Sequence, residues 1–219
     1  MKTENLRLAI IAAALTGAMS ASAVTLTFNG VDPGENVTLQ VSGGITINPG
    51  IFPAGIWNQT IDGVPTPSFC IDVARDISLG QTLTDYNYTD LSLAPLNPAG
   101  PMGVQAATDI EKLWFAYYPA ATVSDQDAAA LQVAIWEDVA AKVGTYTVIV
   151  NGNNLSDPIY SEAASMLSNL PNITGEASLV GLISPDGQNY VVPLPTPEPT
   201  TLTLAGLGGL TVLLLRRRK

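Results

Sequence analysis

Cys70 is the only cysteine in the 219-residue chain, and histidine is absent altogether. Without an imidazole, neither a Ser-His-Asp nor a Cys-His nucleophile pair can be built, and no His-ligated metal can form. A lone cysteine has no disulfide partner within its own chain. The other unusual residue is Gln132, in the run Ala128-Ala-Ala-Leu-Gln-Val-Ala-Ile-Trp136. At a helical period, Ala128, Leu131, Ile135, Trp136, Val139 and Val143 form one apolar arc, and Gln132 falls inside it. Burying a carboxamide without partners costs about 1–3 kcal/mol, so something must compensate. Backbone hydrogen bonds to Gln132 would suffice, with Cys70 a small core hydrophobe. A second solution uses both residues at once: the Cys70 sulfur attacks the Gln132 side-chain carbonyl, ammonia leaves, and a thioester joins the two. Such an acyl group is opened by amines and hydroxyls. Phe69, Trp136 and Trp114 are the apolar side chains expected to keep water from it. Proximity alone would form the bond, so no cofactor is expected, and with histidine absent the chain is not expected to be an enzyme.

The elements that must hold this pair are legible in outline. Strand alternation occurs in Val24–Phe28, Val37–Val41 and Ser68–Val73, with Phe69, Ile71 and Val73 on one face and Cys70 on the other. Thr145–Val150 and Ala177–Ile183 also read as strands. Asp186-Gly187 before Gln188–Val192 reads as a hairpin. A helix is expected over Val104–Tyr118, stopping at Pro119. A second runs over Ser124–Val143 between a Ser124 cap and Gly144, and a third over Pro158–Leu170 after Asp157. The expected class is α+β: a β-sandwich-like domain with a helical insertion, over residues 24–192, plus a C-terminal transmembrane helix.

Phe69-Cys70-Ile71-Asp72 followed by Leu131-Gln132-Val133-Ala134-Ile135-Trp136 resembles the thioester domain of bacterial surface adhesins. The resemblance rests on an early aromatic-Cys-apolar motif and a later Gln-x-Ala-Ile-Trp motif. It implies a Cys70–Gln132 thioester and covalent capture of a protein or polysaccharide target. A passive surface or matrix protein without a reactive bond is the alternative.

Both ends read as addresses. Residues 1–23 have a basic start at Lys2 and Arg7, an apolar run from Leu8 to Met19, and Ala21-Ser22-Ala23, which suits signal peptidase cutting after Ala23. Residues 193–199 are a proline-rich linker containing Pro197-Glu198-Pro199. Residues 200–219 hold an uncharged span that ends in Arg216, Arg217, Arg218 and Lys219, a stop-transfer pattern that keeps the C-terminus inside. Pro-Glu-Pro, a glycine-containing apolar span and a terminal arginine cluster together resemble the PEP-CTERM sorting signal of Gram-negative bacteria. The resemblance implies membrane anchoring through this helix, processing by an exosortase, and delivery to the cell surface or extracellular matrix.

The 19 acids outnumber the 9 bases, and only Arg75, Lys112 and Lys142 carry positive charge between the two ends. That balance repels nucleic acid. Asp72, Asp76, Asp125 and Asp127 invite a calcium reading, but no EF-hand-type loop accompanies them. Five N-x-[ST] triplets, at Asn36, Asn58, Asn87, Asn154 and Asn172, carry no weight in a chain rich in these residues. A Lys-Asn isopeptide through Lys112 or Lys142 ranks low, because both lysines fall on helices.

Overall fold

The computed structural model describes residues 23–96 and 100–195. The segments bearing most of the export signal, Pro197, Glu198, Pro199 and Arg216–Arg218 lie outside them. No helix of the described residues is long and apolar enough to cross a membrane. The expected transmembrane helix falls outside the described part.

The chain is α+β. Its strands in chain order are β1 (Val24–Gly43), β2 (Ile47–Ile61), β3 (Val64–Cys70), β4 (Thr82–Thr89), β5 (Pro95–Leu96), β6 (Gly100–Pro101), β7 (Tyr146–Val150), β8 (Leu179–Ile183) and β9 (Tyr190–Pro193). Helices α1 (Gly103–Ala121) and α2 (Asp125–Val143) lie between β6 and β7, and α3 (Pro158–Asn169) lies between β7 and β8. The main sheet runs β2-β3-β9-β8-β4-β1-β7, and β1 pairs again with β2. The sheet therefore closes on itself through six antiparallel strands, where two facing sheets were expected. Closure is possible because β1 is long enough to serve two neighbours on one edge. Its start pairs with β4 (Leu26↔Leu83) and its end with β7 (Val41↔Val148). Along the other edge it pairs with β2 from Leu26↔Ile61 to Val41↔Ile47.

The two short strands expected in Val24–Val41 are one strand. Gly30, Pro33 and Gly34 read as turn residues, but the register shifts at Phe28/Gly30 and Val31/Gly34 absorb them as irregularities within the ladder. Gly34 sits opposite Gly55, which has φ +151°. A Cβ on Gly55 would lie 2.5 Å from Gly34 Cα and closer still to the Pro33 carbonyl. Gly55→Ala is thus expected to cost about 2–4 kcal/mol, read as a lower denaturation midpoint. An unchanged midpoint would show that β1 and β2 do not approach this closely.

The helical insertion supplies the central element, α2. Ser124 Oγ accepts the Asp127 N–H at 3.2 Å, Asp125 and Asp127 lie at the positive end of the helix dipole, and Gly144 ends the helix at φ +68°. The expected bounds hold. The single apolar arc does not: every residue from Ala128 to Trp136 is buried, because α2 packs against β1, β2 and β7 as well as α1 and α3. The alanines allow this close packing on all sides. Gln132 is the one polar side chain in that stretch and is fully buried. Helix α1 continues through Pro119 to Ala121 instead of stopping before it. Proline so near the end removes only one donor, and the Thr122 hydroxyl donates back to the Pro119 carbonyl at 2.8 Å. Helix α3 begins as expected, with Asp157 accepting the Tyr160 N–H at 2.9 Å. Pro193 closes β9 opposite Leu179 rather than opening the linker.

Candidate functional site

Strand β3 ends at Cys70, short of the expected Val73. Its pairing with β2 stops at Trp57↔Ser68, while on its other edge Phe69 and Cys70 pair with Val191 and Tyr190 of β9. The Cys70 peptide edge that β2 leaves uncovered is taken by Gln132. The Cys70 N–H donates to Gln132 Oε1 at 2.9 Å, and Gln132 Nε2 donates to the Cys70 carbonyl at 2.8 Å. The carboxamide thus imitates the peptide of a neighbouring strand. This accounts for a polar residue at the centre of an apolar helix. The two residues singled out in the sequence meet in the core, both with 0% exposure. They meet through the Cys70 backbone.

The sulfur has partners of its own. Gln188 Nε2 donates to Cys70 Sγ at 2.7 Å, and the thiol donates to the Asp72 carbonyl at 3.5 Å. Burial pushes the Cys70 thiol up to about 12, with the nearby Trp136 indole opposing and the Asp72 charge adding to the rise. At neutral pH an unacylated Cys70 is a thiol, and any attack by it must shed the proton in the same step. A cavity of about 210 Å³ borders Cys70. Phe52, Trp57, Val73, Arg75, Trp136 and Gln188 are among its walls, together with Cys70 itself, whereas Gln132 is not.

The three expected shielding residues are all buried, and they divide between two sides. Trp136 lines the cavity, with its indole close enough to Cys70 to favour the thiolate. Phe69 instead packs edge-on to Trp114, with ring centroids 5.2 Å apart, and Trp114 stacks on Tyr118 at 4.7 Å. This aromatic group fastens the end of β3 to α1.

Sequence reasoning missed the polar support around the pair. Gln188 is 5% exposed. Its Oε1 accepts the Tyr190 hydroxyl at 3.1 Å and its carbonyl accepts the Tyr86 hydroxyl at 2.8 Å. Asn189 donates to Asp72 Oδ2 at 3.2 Å, and Ile71 N–H donates to the Asn189 carbonyl at 3.1 Å. Arg75 Nη1 reaches the carbonyls of Ser184 at 2.5 Å and Pro185 at 2.7 Å, clamping the turn that precedes them. The available signal was two adjacent amides, Gln188-Asn189, directly before the buried run Tyr190-Val191-Val192.

Three of the four acids considered for calcium accept backbone N–H groups. Asp72 Oδ1 accepts Ala74 N–H, Asp76 accepts Ile77 N–H, and Asp125 accepts Gly34 N–H. Among the described residues, no group of three or more His, Cys, Asp or Glu side chains is placed to hold a metal ion. Lys142 forms an ion pair with Asp109 at 2.9 Å and faces Asp138 at 3.8 Å, so its neighbours are carboxylates, not asparagine.

Two buried carboxylates, Asp72 and Asp138, and the half-buried Glu137 set a pH dependence. Burial pushes Asp72 up to about 6, against the pull of the Ala74 N–H and Arg75. Burial also raises Glu137 to about 7, and Asp138 to about 7 with Asp109 adding and Lys142 opposing. The ordinary values are 3.8 for Asp and 4.5 for Glu, so the native state holds extra protons between those values and about 6 to 7. The stability these groups contribute is complete below their unfolded values and is lost as pH rises through the folded ones. Thermal denaturation should therefore give a higher midpoint at about pH 5 than at about pH 8. A midpoint that climbs across that interval would contradict the assignment.

Neither the curated proteins nor the solved structures contain a match to this chain. A family model described as the PEP-CTERM protein-sorting motif matches residues 195–219. The chain therefore ends in a PEP-CTERM sorting motif, which implies export, C-terminal membrane anchoring before processing, and an exosortase as the processing enzyme.

Proposed function

We propose that the exported domain captures targets covalently through a Cys70–Gln132 thioester, as an adhesin-like surface protein and not as a turnover enzyme. The observation behind this reading is the docking of the Gln132 carboxamide on Cys70, at 2.9 and 2.8 Å from its backbone N and O. The carbonyl to be attacked belongs to a residue already held against the cysteine, so closure of the bond is a proximity effect. The Cys70 N–H that binds Oε1 also stands where negative charge would develop on that oxygen, a single-donor oxyanion site. The balance is simple. The thiol adds to the Gln132 acyl carbon, the carboxamide nitrogen leaves as ammonia with the thiol proton, and one C–S bond replaces one C–N bond. A target amine or hydroxyl then takes the acyl group and returns Cys70 as thiol.

The same two hydrogen bonds favour a second reading, a passive surface or matrix protein. Both polar atoms of Gln132 are satisfied, and ammonia loss would strip the Cys70 carbonyl of its donor. Methylamine separates the two readings. In the first, native Cys70 resists alkylation until methylamine opens the acyl bond, and the thiol then becomes available to the reagent on unfolding. In the second, unfolding alone exposes a reactive thiol and methylamine changes nothing.

A further inference from the structure

We propose that Gln188 is a catalytic residue of this site, its Nε2–H holding the developing charge on the Cys70 sulfur as the acyl bond to Gln132 breaks. The inference rests on the thioester reading and adds to it the group that handles the leaving sulfur. When an amine opens the bond, its nitrogen adds to the Gln132 acyl carbon and the C–S electron pair passes to sulfur. The proton lost by the nitrogen ends on that sulfur. A thiolate formed in a fully buried position is costly unless a donor meets it. Gln188 Nε2 is 2.7 Å from Sγ, and Gln188 and Cys70 border the same cavity.

The orientation of this carboxamide is fixed by its surroundings. The Tyr190 hydroxyl donates to Oε1 at 3.1 Å, the pairing that goes with the NH₂ end facing the sulfur. Tyr86 anchors the Gln188 carbonyl at 2.8 Å, and the residue is 5% exposed. A neutral thioester sulfur accepts a hydrogen bond weakly, whereas a departing thiolate accepts one strongly. The contact therefore favours the transition state over the resting bond. Gln188 differs in this from the Phe69–Trp114 group, which can only exclude water.

The test measures the rate at which methylamine opens the bond in the purified exported domain, followed by intact mass. Gln188→Met, close in size but without the N–H, should slow opening by roughly tenfold or more. Tyr190→Phe leaves the sulfur contact chemically intact but frees the carboxamide to turn, and should slow opening by a smaller factor. This variant keeps the inference testable should Gln188→Met fail to fold. Hydrolysis by water shares the same leaving group and should slow in parallel, an effect that altered target access would not reproduce. Wild-type rates in folded Gln188→Met, or in Tyr190→Phe where the first variant does not fold, would overturn the role of Gln188 while leaving the thioester in place. A wild-type domain with no ammonia lost would overturn the thioester reading and this inference together.

Discussion

Gln132→Ala is expected to be the most damaging single substitution in the domain, lowering the unfolding free energy by about 3–5 kcal/mol in denaturant titration. Alanine removes both bonds to Cys70 and leaves its N–H and C=O buried beside an apolar helix, at a point where β2 no longer pairs with β3. Each unpaired group costs about 1–3 kcal/mol, and the vacated volume adds to that. A domain of this size has about 5–15 kcal/mol in total, so the loss is large. In an acylated domain the Nε2 bond has left with the ammonia, and the cross-link stands in its place. It ties positions 62 residues apart, and closing such a loop stabilises by about 4 kcal/mol in the chain-entropy account. Cys70→Ala distinguishes the two, because it abolishes the cross-link yet keeps the backbone groups that Gln132 engages. If Gln132→Ala costs less than about 1 kcal/mol, the carboxamide is not acting as the missing strand neighbour of Cys70.

The pair at the centre of the site was legible because each member breaks a rule of composition or patterning. Cys70 is a lone cysteine, and Gln132 is a polar residue among apolar neighbours. Helices α2 and α3 were legible for a related reason, since their caps are local: Ser124, Asp157 and Gly144 act within one turn of their own positions. What stayed hidden depends on contacts distant in sequence. The continuity of β1 through Gly30, Pro33 and Gly34 requires β2 to follow its irregularities. Strand β4 shows little apolar alternation because Tyr86 is its one buried residue. Ring closure pairs β4 with β8 and β3 with β9, segments far apart in the chain, and sets Gln188 beside Cys70 with |i−j| of 118. For the same reason Gln188 read only as the start of a hairpin strand, although its side chain reaches the Cys70 sulfur. The terminal sorting motif needed no fold at all, being a linear signal at residues 195–219.

The second large effect is all-or-none and bears on the central claim. Intact-mass analysis of the exported domain, produced without reductant or amine buffers and kept folded until injection, reads the bond directly. The account predicts a mass below that of the unmodified sequence by one molecule of ammonia. Methylamine should then raise it by one molecule of the amine. Neither change should occur in Cys70→Ala, which has no sulfur to acylate, nor in Gln132→Ala, which has no acyl group to give. A wild-type mass equal to that of the unmodified sequence, insensitive to methylamine, would contradict the account and leave Gln132 as a strand mimic beside an inert core cysteine.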